Sequence, residues 1–249
     1  MVTSASLCTE APRGILPYQA WYPYNTSTLV GFWSAYLHQI IAHAYGAFTN
    51  AACDTLMYGF IMQICPQFGI LQHRFQCLPK SFAGITENVH QCEKNQLRNC
   101  VKHHLQILHY AEECNRVFDF LICLQFFVSS TVLCVSVYRL AQINLTSPDF
   151  AIIVMYLLCM LSQIFILCIS GSYVTSESHN MVDGIYSMDW TSLNPQTQKS
   201  LVFIIIKCLR PIKFKSGNIL LLSISSFNKL IRLSYSAFNV LQQSSGVYH

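Results

Sequence analysis

The chain has 249 residues and a formal net charge of +4, and it is 53% hydrophobic and only 10% charged, with a mean hydropathy of +0.38. Soluble domains carry about 25% charged residues, so this composition excludes an ordinary water-exposed globule. The small, dispersed positive charge gives no indication of nucleic-acid binding. The twelve cysteines include no CxxC pair, and several lie inside apolar blocks, so a disulfide scaffold is not expected.

Residues 1–28 are polar to amphipathic, and we expect them to form an extracellular loop. The stretch 1–11 has no basic segment followed by an apolar one, so no signal peptide is predicted. The cluster Pro17-Tyr18-Gln19-Ala20-Trp21-Tyr22-Pro23 combines prolines, which oppose a regular helix, with the aromatic residues typical of a membrane–water boundary. A loop lying against the lipid headgroups is therefore predicted.

Four apolar segments are predicted to be transmembrane helices, at residues 29–60, 118–138, 150–170 and 217–241. Residues 120–138 and 150–176, which cover nearly all of the two middle segments, contain no Lys, Arg, Asp or Glu. A helix needs about 20 apolar residues to cross a bilayer core of about 30 Å. The first segment is longer than one upright span requires, so we expect it to tilt or to extend beyond the bilayer. Its acidic residue Asp54 is expected to face protein or water.

Two segments between the spans are predicted to be cytoplasmic. Residues 61–117 are expected to form a helical region that is amphipathic near its end. Residues 171–216 are expected to form a loop followed by a short helix at 200–209, which the Arg210-Pro211 sequence ends.

The distribution of basic residues gives the topology. Most Lys and Arg lie in the two cytoplasmic segments, whereas residues 141–149 and 242–249 hold none. The positive-inside rule therefore makes 139–149 an extracellular loop and 242–249 an extracellular tail. Glycosylation sequons begin at Asn25 and Asn144, both on the predicted outer side.

No residue pattern indicates an enzyme or a resident metal. The chain has no glycine-rich phosphate loop, no GxSxG and no HExxH sequence. A group of histidines and cysteines on the amphipathic helix does not form a complete four-ligand zinc set, and we interpret it as a solvated helix face. Its members are Cys100, His103, His104, His109 and Cys114. No catalytic residue and no cofactor are predicted.

The second half of the chain carries a family pattern. Residues 171–190 begin Gly-Ser-Tyr-Val-Thr-Ser-Glu-Ser and close on Asp-Trp. Arg210-Pro211, Gly217, the Ser223-to-Phe227 spacing and the ending Ser-Tyr-Ser-Ala-Phe-Asn-Val-Leu at 234–241 follow in order. Together with the Pro-Tyr-x-x-Trp-x-Pro cluster at 17–23, this arrangement resembles the insect odorant receptor family, over residues 16–241.

The resemblance implies an all-α, polytopic membrane helical bundle. Family members have seven spans, an intracellular N-terminus and an extracellular C-terminus, which agrees with the topology derived from charge. The four predicted spans would be the fourth to the seventh, with a long cytoplasmic helical region and a split last helix. Met1 would then be an internal methionine of an incomplete gene model or the start of a truncated product.

The resemblance also implies a function. Family members form tetrameric, odorant-gated, non-selective cation channels with a shared co-receptor in the membrane of olfactory sensory neuron dendrites. The cytoplasmic ends of the spans and the short helix before the last span would join the subunits. A small volatile hydrophobic ligand would occupy an apolar, aromatic pocket in the outer half. The candidate pocket residues, each of which could instead pack between helices or face lipid, are Tyr36, His38, His43, Tyr45, Met155, Tyr156 and Cys159.

The last helix is implied to line the pore. Val240 aligns with the valine of the family's hydrophobic constriction, and a ring of apolar side chains closes a pore by dewetting it. Lys229 and Arg232 depart from the co-receptor pattern, and they would repel cations if they faced a narrow pore, which weighs against a cation-selective pore of this subunit alone. The predicted pore and gate residues are Ser236, Asn239, Val240, Leu241 and Gln243.

Three other interpretations stay open. A gustatory receptor relative would have a similar architecture, but the Ser-Tyr-Ser-x-Phe ending favours the odorant branch. A non-conducting membrane protein that assembles with full-length receptors and alters their delivery is the main alternative, because three spans would be absent. An unrelated small transporter would carry Gly/Pro-broken helices in corresponding halves, and no such repeat is seen.

Overall fold

The computed structural model describes residues 16, 18, 20–79, 89–143, 148–217 and 220–246, with only the backbone described at 89, 141, 148 and 241–246. The described chain is almost entirely helical, which confirms the predicted all-α class. Its elements are α1 (Leu29–Met62), α2 (Ile64–Cys77), α3 (Val89–Gln142), α4 (Pro148–Tyr186), α5 (Pro195–Cys208), β1 (Lys215–Ser216), β2 (Leu220–Leu221) and α6 (Ile224–Gly246).

Helices α1 and α2 follow one another with only Gln63 between them. Gln63 keeps helical backbone angles, and its N–H bonds to the Gly59 carbonyl at 3.0 Å. Pro66 explains the interruption, because it lacks the N–H that would bond to the Met62 carbonyl one turn earlier. Helical structure therefore continues well past residue 60, where the first predicted span ends.

Helices α3 and α4 are the longest, at 54 and 39 residues. Among the described residues they are the two helices whose length and composition suit a membrane span, over His90–Leu140 and Asp149–Tyr186. They contain the predicted spans 118–138 and 150–170 and extend far beyond them. The segments 29–60 and 217–241 do not reach the same hydropathy, because polar and charged residues interrupt them.

Helix α5 begins with a regular N-terminal cap. The Asn194 side chain accepts a hydrogen bond from the Gln196 N–H at 3.1 Å, and Pro195 occupies the first turn, where a missing N–H is harmless. The helix starts before the predicted residue 200 because these capping residues precede the apolar run.

The final helix begins at Ile224 and not at Gly217 as predicted. Strands β1 and β2 pair antiparallel, with Ser216 opposite Leu220. Gly217 leaves β1 with a φ of +56°, a left-handed conformation that side chains disfavour. The Ser223 hydroxyl accepts a hydrogen bond from the Ser226 N–H at 3.3 Å, which marks Ser223 as the helix cap.

The described chain divides into two compact units. The first unit comprises Met1–Leu56, Thr131–Gln163 and Tyr235–His249, and its buried residues include Ala35, Tyr36, Leu133 and Leu157. The second unit comprises Met57–Ser130 and Ile164–Ser234. Its largest fully buried side chains are Ile61, Ile64, Phe68, Leu71, Phe75, Leu78, Ile122, Ile164, Met181, Ile185, Leu201 and Phe214.

Candidate functional site

In the first unit, Gln39 fixes the segment before α1 to that helix. Its side-chain amide accepts a hydrogen bond from the Tyr18 N–H at 3.0 Å and donates one to the Tyr18 carbonyl at 2.9 Å. Gln39 is only 6% exposed, and a buried amide is tolerated when donor and acceptor are both satisfied. Sequence reasoning did not assign Gln39 to the site, although a polar residue that interrupts an apolar helix is visible in the sequence.

Two of the predicted pocket residues contact the same segment. The Nδ1 atom of His43 lies 3.3 Å from the Tyr18 hydroxyl, with the ring centroids 6.1 Å apart. His38 meets Tyr22 edge to face, at a centroid distance of 6.3 Å. Tyr18 and Tyr22 of the segment before α1 therefore each contact one of the two histidines.

The other predicted pocket residues have different surroundings. Tyr36 is buried and packs against Phe32 and Trp33, at centroid distances of 6.1 and 5.6 Å. It therefore contributes to the core of the first unit. The remaining candidates, which are exposed in the single chain, are Tyr45, Met155, Tyr156 and Cys159.

Of the two predicted glycosylation acceptors, only Asn25 falls on described residues. Asn25 is exposed, and its side-chain oxygen accepts hydrogen bonds from the Ser27 N–H and hydroxyl at 2.9 and 2.6 Å. Asn144 lies outside the described residues.

On α6, the described pore candidates share one face. Ser236, Asn239 and Val240 are separated by three and four residues, a spacing that places side chains on the same side of a helix. Val240 is 65% exposed and Ser236 is exposed, whereas Leu230 and Ser234 on the other side are buried. The side chains of Leu241 and Gln243 lie outside the described part of the chain.

The cations of α6 lie on the side that carries the pore candidates. Lys229 and Arg232 precede Ser236 by seven and four residues, and both are exposed. Helical spacing therefore aligns them with Ser236 and Val240 along the helix.

Signature residues on α4 form hydrogen bonds at both ends of the segment that connects α5 to α6. At one end, the Thr175 hydroxyl donates to the Ile212 carbonyl at 2.9 Å, and the Ile212 N–H donates to the Ser178 hydroxyl at 3.2 Å. At the other end, the Ser172 hydroxyl accepts a hydrogen bond from the Ile224 N–H at 3.1 Å. Three signature residues thus fix the start of α6 relative to α4.

Gly171 provides the space for this connection. A Cβ atom at position 171 would lie 2.6 Å from the Leu222 carbonyl oxygen and 2.8 Å from the Leu222 Cβ. Both distances are shorter than van der Waals contact, so a larger residue would push the hairpin away from α4. The signature glycine therefore has a packing role in the second unit.

The closing Asp189-Trp190 pair of the signature forms a turn before α5. The Trp190 Nε1 donates to the Ile185 carbonyl at 3.1 Å. The Asp189 carboxylate accepts hydrogen bonds from the Thr191 hydroxyl at 2.6 Å and the Thr191 N–H at 3.2 Å, and these bonds lower the pKa of Asp189. The side-chain cap of α5 itself is Asn194.

Helix α5 exposes an apolar face in the single chain. Phe203 is 71% exposed, and Val202, Ile206 and Leu209 are also exposed. A groove of about 460 Å³ runs along part of this face, lined by Tyr186, Trp190, Val202, Ile205, Ile206 and Leu209. Apolar surface of this kind on a short helix is typical of a protein interface.

The histidines and cysteines of α3 are mostly core residues. Cys100, His104 and Cys114 are buried, so their interpretation as a solvated face was wrong. No three His, Cys, Asp or Glu side chains within the described ranges are grouped to hold a metal ion. The Cys208 thiol lies 3.8 Å from His104 Nε2, and burial raises the pKa of Cys208 to about 11, which keeps it protonated and unreactive.

Comparison with known proteins finds similarity to odorant receptors. A sequence model of the 7tm Odorant receptor family matches residues 3–235. Odorant receptor 9a of Drosophila melanogaster is 27% identical over 228 residues, which cover 91% of this chain and 56% of that protein. Odorant receptor Or1 of Anopheles gambiae is 24% identical over 250 residues, covering 91% of this chain and 60% of that protein. The chain thus spans little more than half the length of these relatives.

A solved structure shares the fold. The insect olfactory receptor OR5 from Machilis hrabei in complex with eugenol superposes with a TM-score of 0.77 at 20% sequence identity, covering 98% of this chain and 61% of that receptor. A second structure of the same receptor superposes with a TM-score of 0.78 at 19% sequence identity. The fold is therefore a helical membrane bundle.

Proposed function

This chain belongs to the 7tm odorant receptor family, and from this membership we propose that it acts as a subunit of an odorant-gated, non-selective cation channel formed with a shared co-receptor. The observation that carries the proposal is the hydrogen-bonded connection between the signature segment on α4 and the start of α6. A ligand-gated channel needs such a connection, because ligand binding must move the helix that lines the pore.

The exposed face of α6 supports a pore-lining role. Val240 would form an apolar ring with the corresponding residues of the other subunits, closing the pore by dewetting, while Ser236 and Asn239 would provide polar groups along the wall. Lys229 and Arg232 lie on the same face and would oppose cation entry from the inner side. A mixed assembly, in which co-receptor subunits dilute these charges, therefore suits this helix better than a pore built from four copies of it.

The ligand site would lie in the first unit, at the surface formed by His38, His43 and the aromatic segment before α1. This surface combines apolar rings with hydrogen-bonding groups, which suits a small volatile compound with one polar atom. Eugenol, which the structure of OR5 from Machilis hrabei contains, is a phenol of that chemical kind. Met155, Tyr156 and Cys159 would complete the apolar lining from α4.

A second candidate function rests on the apolar face of α5. Four exposed apolar residues on one short helix provide a surface for assembly even if the chain conducts no ions. The chain would then act as a regulatory partner that joins full-length receptors and changes their delivery to the membrane.

One experiment separates the two functions. The chain would be expressed with the co-receptor in cells that lack both proteins. Currents would be recorded while a panel of volatile compounds is applied, and surface labelling would measure how much of each protein reaches the membrane. The proposed function predicts odorant-evoked cation currents that the co-receptor alone does not give. It also predicts that Val240→Ala raises the current without odorant, because a smaller ring wets more readily.

A matched pair of variants tests the ligand site in the same recordings. His43→Phe should weaken the response, because it removes the hydrogen-bonding group opposite Tyr18, whereas His73→Phe changes an exposed histidine of α2 and should leave the response intact. A chain that reaches the surface, alters the co-receptor's surface level and gives no current supports the regulatory function. Absence of both current and association contradicts both proposals.

A further inference from the structure

A cavity of about 620 Å³ lies in the second unit between α3 and the loop that joins α5 to the hairpin. Residues 108–119 of α3 form one wall, and residues 210–217 form the other. Four basic side chains line it, which is a high density of positive charge for one cavity of this size. They are Arg116, Arg210, Lys213 and Lys215.

Negative side chains offset only part of this charge. Glu112 and Asp119 are its two carboxylates, and Asp119 already accepts a hydrogen bond from the Gly217 N–H at 2.8 Å. Arg116 pairs with Glu113 on its own helix. Within the described ranges, Arg210, Lys213 and Lys215 form no ion pair with a carboxylate.

The chain that carries the lysines is held in place. Residues 213–216 alternate between exposed and buried, and Phe214 is only 1% exposed. In an extended chain this alternation places Lys213 and Lys215 on the same side. The Lys215 N–H donates to the Asn115 side-chain oxygen at 2.9 Å, and the Ser216 hydroxyl donates to the Asp119 carbonyl at 2.5 Å. The backbone that carries the two lysines is thus fixed before any ligand binds.

The cavity lies next to the start of the predicted span 118–138. Arg116 and Asp119 directly precede the charge-free run 120–138, which lies in an apolar helix long enough to cross a bilayer. A basic cavity at the cytoplasmic end of a span is at the depth of lipid phosphates. Arginine binds phosphate through two parallel hydrogen bonds, and lysine contributes a mobile point charge.

From these observations we propose that the cavity binds a cluster of phosphate groups, presented by a multiply phosphorylated headgroup of the inner leaflet. The two arginines and two lysines surround the phosphates, and the Asn115 and Asp119 contacts hold the loop against α3. The site shares no residue with the proposed odorant surface or with the pore candidates of α6, so it adds a lipid requirement to the receptor.

Binding of a fluorescent short-chain phosphatidylinositol bisphosphate to the purified complex of this chain with the co-receptor tests the proposal. The test variant carries Arg210→Gln, Lys213→Gln and Lys215→Gln. The matched control carries Lys94→Gln, Arg98→Gln and Lys102→Gln, which remove the same charge from exposed positions of α3 outside the cavity. Each basic residue near an anionic lipid contributes about 1 kcal/mol, or about fivefold in affinity, so the test variant should bind at least about tenfold more weakly.

Competition identifies the source of the phosphates. If soluble inositol trisphosphate displaces the lipid probe at equal concentration, the cavity binds phosphate groups and its ligand is a soluble one. If it does not displace the probe, the ligand is the lipid. Lys213→Gln alone, which leaves every backbone contact of the loop in place, keeps the test valid if the triple variant does not fold. Equal weakening in the test and control variants, or no binding by the unmodified complex, overturns the proposal.

Discussion

The hydroxyl of Ser172 accepts a hydrogen bond from the N–H of Ile224 at 3.1 Å, joining the signature segment of α4 to the first residue of α6. The first N–H groups of a helix have no partner within the helix, so this hydroxyl satisfies one of them from a neighbouring element. The bond connects two residues that are separated by 52 positions in the sequence. Ser172 thus links the start of α6 directly to α4.

Replacing Ser172 with alanine should weaken this connection. The lost acceptor leaves the Ile224 N–H with water as its remaining partner, a change that costs about 1 kcal/mol at a helix start. We expect the odorant concentration for half-maximal current to shift by up to about fivefold. The control is Ser162→Ala, whose hydroxyl bonds at 2.8 Å to the Cys159 carbonyl of its own helix. Equal shifts in both variants would show that the α4–α6 bond has no special role.

Substitution of Gly171 should destabilise the second unit. The Cβ of Gly171→Ala would lie 2.6 Å from the Leu222 carbonyl oxygen, so the hairpin must move away from α4. Overpacking of this kind costs about 1–3 kcal/mol, and we expect a lower thermal midpoint and less protein at the cell surface. The added variant Leu222→Ala should restore only part of the loss, because the backbone oxygen stays in place.

The control for this prediction is Gly69→Ala in α2, where a Cβ would meet no atom within 4 Å. Alanine has a better helix propensity than glycine by up to about 1 kcal/mol, so this variant should be as stable as the original or slightly more stable. If Gly171→Ala unfolds at the same temperature as Gly69→Ala, the close approach of Leu222 to α4 does not contribute to stability.

The sequence alone indicates an element best when one local property, such as the absence of charge, determines it. A charge-free run longer than a bilayer thickness is a one-dimensional signal, and the two predicted runs fall inside the long helices α3 and α4. The hairpin that connects α5 to α6 is harder to predict from the sequence. The hairpin depends on the pairing of Ser216 with Leu220 and on the positive φ of Gly217, and its apolar residues resemble the start of the following helix.

The site was harder to predict because its contacts are distant in sequence. His38 and His43 were identified from their type and position, but Gln39, which fixes Tyr18, was not, because nothing near it indicates its partner. The buried state of His104 also depends on packing against Cys208, which is 104 positions away. Burial of a polar residue by a remote element leaves no local pattern in the chain.

Assembly with the co-receptor should depend on Phe203. Glutamate at this 71% exposed position of α5 places a charge on the apolar face, and a desolvated charge without a partner is strongly unfavourable in an interface. We expect Phe203→Glu to reduce co-purification with the co-receptor at least about tenfold, since an aromatic residue that anchors an interface contributes about 2 kcal/mol or more. Ser200→Glu adds the same charge at another exposed position of α5 and should assemble normally. Retention of the complex by Phe203→Glu would assign assembly to another surface.

Stability should fall at mildly acidic pH because of His104. Burial, and next the nearby charge of His103, lowers the pKa of His104 in the folded chain below its ordinary value. Above the ordinary histidine pKa of about 6.5, both the folded and the unfolded states leave His104 neutral, and the full stability is present. As the pH falls below that value, the unfolded state binds a proton that the folded state does not, so stability decreases by up to about 1.4 kcal/mol per pH unit. The thermal midpoint of the complex in detergent, measured from about pH 7.5 to about pH 5.5, should therefore fall less steeply for His104→Gln than for the original chain.

His109→Gln changes an exposed histidine of the same helix and should retain the original slope. Identical slopes for all three proteins would mean that His104 is already protonated in the folded state or stays accessible to water.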